Sequence, residues 1–195
     1  MTSKEVEFFM NNFDSDKKRL LEVLREDAFF KEKITLSSGK TSDFYIDARR
    51  VTLSAEGAYL CARVILEILK NENVDVDAIG GPTLGADPLL GAIGVLSFQA
   101  KKPINTFIIR KAPKPYGKQQ QIEGPLLDPK MNIILIDDVA TTGKSFMESI
   151  EVLSKMGIKI KKSICIVDRN EGGREALAKL GCELVSLFTL KDFPV

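Results

Sequence analysis

The chain has 195 residues, and its 28 Lys and Arg residues nearly balance its 27 Asp and Glu residues, which gives a formal charge of +1 at pH 7. This balance gives no reason to expect binding to nucleic acid or to a membrane surface. The hydrophobic fraction of 44% suits a globular fold, and the lack of histidine in the whole sequence excludes every mechanism or metal site that needs an imidazole.

Residues 1–50 are predicted to form an N-terminal appendage of two short helices followed by a β-hairpin. Apolar residues recur at helical spacing over 3–27 with a polar interruption, and Ser15 is the expected cap of the second helix. Two short apolar runs, 34–36 and 44–46, then flank a polar turn that contains glycine. Such a pair of runs predicts a hairpin.

Strands and helices alternate in the rest of the chain. The predicted helices cover 55–70, 88–98, 145–156 and 174–180, and the predicted strands are centred on 78–79, 106–109, 132–136, 164–167 and 184–188. Apolar strands that alternate with helices predict an α/β fold with a parallel sheet covered by helices on both faces. No repeat or linker interrupts the pattern, so residues 1–195 are predicted to form a single domain, with 51–195 as its α/β core.

The cysteines and the lengths of the apolar stretches indicate the cellular compartment in which the protein is expected. The cysteines, at positions 61, 165 and 182, are odd in number and form no CxxC pair, which disfavours a disulfide framework or a zinc site. The N-terminus lacks the basic and then apolar segments of a secretory signal. The longest uncharged stretch, 88–100, has 13 residues and is too short to span a bilayer. We therefore expect a cytoplasmic protein.

Residues 133–145 carry the most specific pattern in the chain. Four apolar residues lead to Asp137 and Asp138, and a turn of threonine, glycine and serine then opens a helix. Amide groups at a helix N-terminus form a cradle for phosphate, and the acidic pair supplies acceptors for neighbouring ribose hydroxyls. A P-loop would need glycine at Asp138 and is excluded. Either feature alone is more often a turn or a helix cap, but the whole string predicts a sugar-phosphate site.

This string resembles the signature for phosphoribosyl pyrophosphate (PRPP) in the type I phosphoribosyltransferases, in which an apolar strand, two acidic residues and the sequence TTGxS follow one another. The resemblance implies the fold of that family, a parallel sheet flanked by helices with a small N-terminal hood that contains the hairpin. It also implies that Asp137 and Asp138 hold the ribose hydroxyls during catalysis. The residues implied to bind the 5-phosphate are Thr141, Thr142, Gly143, Lys144 and Ser145.

Two other segments resemble the orotate-specific branch of this family. Residues 30–47 resemble its hood, and residues 80–88 resemble the glycine-proline turn after its first core strand. Taken alone, the first segment is a plain β-arm and the second is a tight turn between a strand and a helix. The resemblance implies that orotate lies beside Phe44 and Tyr45.

A basic segment, 110–124, carries four positive charges before its first carboxylate, Glu123. Its prolines and glycine disfavour a helix, and many such segments are only solvated surface. A departing diphosphate, however, needs cations that arrive as its charge develops, and a closing loop supplies them. The segment resembles the mobile catalytic loop of the family, which implies catalytic roles for Arg110, Lys111 and Lys114.

Three positions depart from the family pattern. Tyr116 stands where the family commonly has histidine, and Ser37 and Gly85 stand where it often has lysine. Tyr116 can still donate a hydrogen bond to diphosphate, which makes it a candidate binding residue, but it carries no positive charge at neutral pH. Fewer cations imply slower turnover or a stronger dependence on Mg²⁺, unless Lys40 or Lys118 compensates.

The turn 167–175 follows the fourth predicted core strand and carries Arg169. An arginine can form a bidentate pair with the carboxylate of orotate. Without the other motifs, Arg169 would be interpreted as half of an ordinary ion pair with a nearby glutamate. The turn resembles the orotate-recognition turn of the family, which implies a substrate-binding role.

The resemblance implies transfer of the 5-phosphoribosyl group from PRPP to orotate, which yields orotidine 5′-monophosphate and diphosphate in pyrimidine synthesis. It further implies Mg²⁺ on the diphosphate and ribose oxygens and a homodimer in which the loop 110–123 serves the partner's site. Two alternatives stay open. A purine phosphoribosyltransferase would share the string at 137–145. A regulator that only senses PRPP would keep the pocket, but one that bound nucleic acid should show a basic face.

Overall fold

Strands and helices alternate along most of the chain, as the sequence pattern predicts. A computed structural model describes residues 12–35, 41–113 and 121–194. The strands are β1 Phe29–Phe30, β2 Ile34–Thr35, β3 Thr41–Ser42, β4 Tyr45–Ile46, β5 Ala78–Pro82, β6 Asn105–Ile109, β7 Ile122–Glu123, β8 Ile133–Ala140, β9 Lys162–Asp168 and β10 Glu183–Thr189. The helices are α1 Phe13–Val23, α2 Arg49–Thr52, α3 Ala55–Asn71, α4 Asp87–Gln99, α5 Lys144–Ser154 and α6 Gly173–Ala178. A π-helical turn, Leu24–Ala28, extends α1, and a 3-10 turn, Leu190–Asp192, follows β10.

The central sheet has six strands in the order β10-β9-β8-β5-β6-β7. All neighbouring strands run parallel except β7, which runs antiparallel to β6. The chain passes from β5 to β6 on one side and then to β8 on the other, so the strand order reverses between β5 and β8. Such a reversal leaves a crevice at the carboxyl ends of the strands, where ligands bind in open α/β sheets. The predicted α/β class with a parallel sheet is confirmed.

Strand β8 shows why the core strands are apolar throughout. Ile134 and Ile136 belong to one core cluster, with residues of α1, α3 and α4, whereas Ile133 and Leu135 belong to a second, with residues of α5 and α6. None of the four is more than 2% exposed. Because side chains alternate between the two faces of a strand, this division means that helices cover both faces of the sheet.

The N-terminal appendage contains a hairpin, but its pairing differs from the expected one. Ile34–Thr35 pairs antiparallel with Thr41–Ser42. The apolar run at 44–46 pairs instead with Phe29–Phe30, through Tyr45 and Ile46. The two apolar runs that flank the glycine turn therefore belong to two separate ladders.

The predicted cap of the second N-terminal helix was wrong. Helix α1 begins at Phe13, so Ser15 lies within its first turn. The hydroxyl of Ser15 donates to the carbonyl oxygen of Asn12 at 2.9 Å and does not accept from an amide of the helix. The first of the two predicted helices lies outside the described residues.

Capping residues mark the ends of three core helices. Helix α3 begins after Ser54, whose Oγ accepts the N–H of Gly57 at 3.0 Å. Gly157 and Gly181 follow the C-terminal ends of α5 and α6 and have φ of 78° and 72°. This left-handed conformation is the usual glycine signal after a helix C-terminus.

Helix α4, predicted over 88–98, is buried on one face only. Leu89 and Ile93 are fully buried, whereas Val95 and Phe98 are 59% and 73% exposed. No helix in the described part of the chain combines the length and the apolar character needed to cross a membrane.

Candidate functional site

The acidic pair lies inside strand β8, whereas the sequence placed it in a loop after the strand. Pairing with β9 continues to the last residue of β8. Pairing with β5 on the other side ends at Leu135. Beyond that point β8 has a neighbouring strand on one side only, so Asp137 and Asp138 border the crevice between β5 and β8.

Asp137 and Asp138 are buried to different extents. Asp137 is 6% exposed, and its Oδ1 accepts the backbone N–H of Asp138 at 2.9 Å. Burial raises the pKa of Asp137 well above its ordinary value, and the charge of Asp138 raises it further. Burial also raises the pKa of Asp138, although the N–H of Val139, at 2.7 Å, and the positive charge of Arg49 oppose this rise. Two adjacent carboxylates with so little water around them are strong acceptors for hydroxyl donors of a ligand.

Helix α5 starts from the turn that ends β8. Gly143 precedes the helix with φ of 78°, and its carbonyl oxygen accepts the N–H of Met147 at 2.9 Å. The amide groups of a first helical turn have no partner within their helix, and the helix dipole makes them attractive to anions. This turn therefore presents amide donors to an anion beside the hydroxyls of Thr141 and Ser145.

One cleft collects most of the predicted site residues. It has a volume of ≈ 550 Å³ and lies at the carboxyl ends of β5 and β8. The predicted residues that line it are Tyr45, Arg110, Lys111, Asp137, Asp138, Thr141, Ser145 and Arg169. The other described candidates, Phe44, Thr142, Gly143 and Lys144, do not line it. Lys114 and Tyr116 lie outside the described residues.

A larger cavity of ≈ 730 Å³ lies between the C-terminal parts of α3 and α4. It borders the segments that enter β5 and β6, which places it at the amino edge of the sheet. Its buried charged residues are Arg63 and Glu67, and Arg63 is paired with Asp16 at 2.9 Å. Because no predicted site residue lines this cavity, we assign the functional site to the smaller cleft.

Lys144 extends into solvent. Its side chain is 78% exposed, and its Nζ lies 3.7 Å from Oε1 of Glu148 on the next turn of α5. Thr142 is exposed as well. In this conformation, both residues can contribute to an anion site through their backbone amides.

Arg169 is buried beside an acidic and an aromatic side chain. Its guanidinium lies 5.6 Å from the ring centroid of Phe44, which itself stacks on Phe29 at 5.9 Å. Nε lies 3.0 Å from Oε1 of Glu171, but its N–H is not aligned with an acceptor in the described part of the chain. The glutamate pair considered in the sequence analysis is therefore present, and the same guanidinium still lines the cleft.

Backbone pairing joins the two ends of the basic segment 110–124, which is called the basic loop from here on. Ile108 pairs with Glu123 and Ile109 with Ile122 in the β6–β7 ladder. The backbone N–H of Arg110 donates to Gln121 O at 2.8 Å, and Nε2 of Gln121 donates back to Arg110 O at 2.9 Å. Lys111 is exposed just beyond this stem. The ends of the loop are thus fixed at the rim of the cleft.

The loop after β5 lies directly against the acidic pair. This loop contains a cis peptide bond between Thr83 and Leu84. A Cβ atom on Gly85 would overlap Oδ1 of Asp137 and would lie 2.6 Å from Oδ1 of Asp138. The lysine that the family often has at this position cannot be placed there without moving the loop, which gives a physical reason for the departure at Gly85.

Sequence reasoning missed two charged residues of the cleft, Asp47 and Arg49. Both line it, and Nε of Arg49 donates to Oδ1 of Asp47 at 3.2 Å. The only local signal is an acidic and a basic residue two positions apart after a short strand. That spacing is common on protein surfaces, so it did not single the pair out.

The chain is similar to several known proteins in sequence and in structure. No protein-family model matches the chain. The orotate phosphoribosyltransferase of Aquifex aeolicus is 42% identical over 176 residues, which cover 90% of this chain and 92% of the relative. The structure of Mycobacterium tuberculosis orotate phosphoribosyltransferase with Fe(III) dicitrate superposes with a TM-score of 0.78 at 32% identity over 91% of this chain and 98% of that one. The same enzyme in complex with PRPP gives 0.74 at 29% identity, with 91% and 98% covered.

Proposed function

The chain belongs to the orotate phosphoribosyltransferase family, and we propose that its cleft transfers the 5-phosphoribosyl group of PRPP to N1 of orotate. The products are orotidine 5′-monophosphate and diphosphate. The observation that carries this proposal is that Asp137 and Asp138 share one cleft with Thr141, Ser145 and Arg169. The PRPP complex of the Mycobacterium relative supports the identity of the sugar phosphate.

The 5-phosphate and the ribose hydroxyls of PRPP are bound by different groups of the cleft. The amide donors of the first turn of α5 bind the 5-phosphate, together with the hydroxyls of Thr141 and Ser145. Asp137 and Asp138 accept hydrogen bonds from the ribose hydroxyls, because an ionised carboxylate is only an acceptor. With both ends held, C1 of the ribose is oriented toward the rest of the cleft.

The departing diphosphate is stabilised by the basic loop. As the C1–O bond breaks, positive charge grows on the ribose ring and the electron pair of that bond leaves with diphosphate. Arg110, Lys111 and Lys114 bind the growing negative charge, and Tyr116 donates a hydrogen bond to it. Arg110 and Lys111 line the cleft at the end of the stem that β6 and β7 form. The lone pair of orotate N1 forms the new bond to C1, and the proton of N1 passes to the departing diphosphate or to water.

Orotate is held by its carboxylate. The guanidinium of Arg169 forms a bidentate pair with it, beside Tyr45 and Thr141. Phe44 acts behind this contact, since its ring faces the Arg169 guanidinium at 5.6 Å. An arginine fixed in this way recognises a planar carboxylate without a further change of conformation.

The donor atoms of the cleft fit a Mg²⁺ ion that is carried mainly by the substrate. Within residues 12–35, 41–113 and 121–194, no group of three or more His, Cys, Asp or Glu side chains is placed to hold a metal. Asp137 and Asp138 offer hard carboxylate oxygens, and Mg²⁺ prefers oxygen ligands and keeps several waters. These two residues would hold the ion together with ribose and diphosphate oxygens, where it would neutralise part of the diphosphate charge.

The proposed compartment is the cytoplasm. The three cysteines are free and buried. Burial raises the pKa of Cys61 to about 12, so that its thiolate is scarce at neutral pH. Thiols of this kind serve as core residues in a reducing environment.

The proposed assembly is a homodimer in which the loop 110–123 serves the partner's site. Mixing the Lys114→Ala and Asp138→Asn variants tests it, because a hybrid dimer would contain one site with both residues intact. Random reassociation should then restore roughly a quarter of the wild-type activity. Restoration of none would place the loop over its own subunit's cleft.

A spectrophotometric assay of orotate consumption with PRPP and Mg²⁺ tests the proposed reaction. Orotidine 5′-monophosphate and diphosphate should appear in equal amounts. Hypoxanthine, guanine and adenine serve as competing bases in parallel assays. Turnover of a purine base without turnover of orotate would replace this proposal with the purine reaction, and no turnover with tight PRPP binding would favour a PRPP sensor.

A further inference from the structure

Two consecutive arginines, Arg49 and Arg50, begin helix α2, but their side chains lie on different surfaces. The guanidinium of Arg50 lies 4.8 Å from the ring centroid of Phe30, in the N-terminal appendage. Arg49 lines the cleft that holds the acidic pair, whereas Arg50 does not. The chain therefore supplies two neighbouring cations, only one of which faces the site.

The outer end of the Arg49 guanidinium is available to a ligand. Its side chain is 44% exposed, and Nε donates to Oδ1 of Asp47 at 3.2 Å. In the described part of the chain, this is the only hydrogen bond that the Arg49 side chain makes. Nη1 and Nη2 therefore present a planar fork of donors, the arrangement that matches two oxygens of a phosphate group.

Three other cations of the cleft also lie beside carboxylates. Arg110 pairs with Glu123 at 3.4 Å, and Arg169 lies beside Glu171 at 3.0 Å. Lys155 pairs with Glu151 at 3.0 Å, near the C-terminal end of α5. Lys111 is exposed at the base of the basic loop. Arg49 thus combines a fixed stem with an open donor face.

The position of Arg49 selects one part of PRPP. The turn of α5 that is assigned to the 5-phosphate packs toward β9, through the hydrogen bond from Gly173 N to Thr141 O. Ala48 and Val51, which flank Arg49, belong to the core cluster on the other face of the sheet, with residues of α3 and α4, whereas α5 packs on the opposite face. With the ribose held between these two sides, the group that reaches Arg49 is the one attached at C1.

We propose that Arg49 is a further substrate-binding residue, whose guanidinium binds the diphosphate of PRPP through Nη1 and Nη2. This inference rests on the proposed function and adds to it a cation outside the basic loop. Asp47 holds the guanidinium in place from the side of Nε. Because Arg49 lies in α2, its contact with diphosphate does not depend on the basic loop.

The test measures binding of inorganic diphosphate and of ribose 5-phosphate separately, each with Mg²⁺, by isothermal titration calorimetry. Arg49→Ala should weaken diphosphate binding about 10- to 100-fold, as expected for loss of a charge-assisted pair. Ribose 5-phosphate binding should change less than about threefold. Arg49→Lys should recover only part of the loss, because an ammonium group is a point charge without a fork. Arg50→Ala is the matched control and should bind both probes like the wild type.

Three results would overturn the assignment. Diphosphate binding by Arg49→Ala equal to that of Arg50→Ala would show that Arg49 does not touch diphosphate. An equal loss of ribose 5-phosphate binding would mean that Arg49 acts only through Asp138. Unchanged diphosphate binding in Arg49→Gln, which keeps most of the side-chain stem, would lead to the same conclusion if the alanine variant did not fold.

Failure of the proposed reaction can be distinguished from failure of the Arg49 assignment. Wild-type protein that bound diphosphate but did not consume orotate would refute the reaction and leave the assignment of Arg49 supported. Wild-type protein that consumed orotate while Arg49→Ala kept full diphosphate affinity would refute only the assignment.

Discussion

Gly143 and Gly173 are in contact across two different turns, since a Cβ atom on Gly143 would lie 3.2 Å from the Cα atom of Gly173. Gly143 belongs to the turn after β8, and Gly173 is the first residue of α6, at the end of the turn that follows β9. The N–H of Gly173 also donates to Thr141 O at 3.0 Å. The turn assigned to the 5-phosphate and the turn that carries Arg169 therefore pack backbone against backbone, so that a shift of one displaces the other.

Gly173→Ala is expected to damage the PRPP site without touching PRPP. The new Cβ would lie 2.7 Å from Thr141 O and 3.0 Å from Gly143 N, so the turn has to move. Overpacking of this kind costs roughly 1–3 kcal/mol of unfolding free energy. We expect a lower melting temperature and a higher KM for PRPP, measured by thermal unfolding and steady-state kinetics.

Gly91→Ala is the matched control for that substitution. Gly91 lies in helix α4, where an added Cβ would meet nothing within 4 Å. Alanine in a helix should raise stability slightly, by about 0.5–1 kcal/mol, and leave both KM values unchanged. The packing argument fails if the two variants behave alike.

The core of the fold and the acidic pair could both be predicted from the sequence. A strand that is buried on both faces must be apolar, and the place where its apolar run stops marks the end of that burial. Ile133 and Ile134 face opposite sides of the sheet and are both buried, so β8 has to be apolar at successive positions. The run ends at Asp137, just after the pairing with β5 stops. A break from apolar to acidic residues at the carboxyl end of a buried strand thus marks the crevice.

Contacts between segments that are distant in the sequence could not be predicted in this way. Arg49 belongs to the appendage and Asp138 to β8, and only the packing of α2 beside the sheet brings their charges together. The run at 44–46 pairs with Phe29–Phe30 although the run at 34–36 is closer in the sequence. Several short apolar runs leave the choice of strand partner open, and tertiary packing decides it.

Arg169→Ala should weaken orotate binding much more than PRPP binding. Loss of a buried bidentate pair is expected to raise the KM for orotate about 10- to 100-fold, with a change of less than about threefold for PRPP. Glu171→Gln is the companion variant, because it removes the ion pair at 3.0 Å and keeps the guanidinium. It should retain orotate binding. Equal losses for both substrates in Arg169→Ala would refute the carboxylate pair.

Two lysines of the predicted site should behave differently. Lys114→Ala is expected to lower kcat by about 100-fold, because the departing diphosphate loses a cation in the transition state. Lys144→Ala should change kcat less than about twofold, since an exposed ion pair such as the one with Glu148, at 3.7 Å, contributes little. Unchanged turnover of Lys114→Ala at saturating PRPP and Mg²⁺ would show that the basic loop has no catalytic role.

The raised pKa of Asp137 predicts how the ligand-free protein responds to pH. Burial and the charge of Asp138 place this pKa well above its ordinary value in the folded state. In the unfolded chain it returns to about 3.9. Between these two values the folded state binds more protons than the unfolded state, so stability falls as pH rises through the folded pKa. The loss of folding stability is complete at pH values at which Asp137 is ionised in both the folded and the unfolded state.

Asp137→Asn should remove this loss of stability and show in which direction it depends on pH. The variant is expected to melt at a higher temperature than the wild type at pH 8, and about 1 kcal/mol would correspond to roughly 2–4 °C for a chain of this size. The difference should shrink as pH is lowered toward about 4, because the carboxyl is then protonated in the folded wild type and begins to take up its proton in the unfolded chain as well. PRPP binding should show the opposite trend and weaken as pH falls, because the ribose hydroxyls need an ionised acceptor. A melting difference that stayed constant from pH 8 to about 4 would mean that Asp137 is ionised in the folded protein without cost, contrary to its burial in β8.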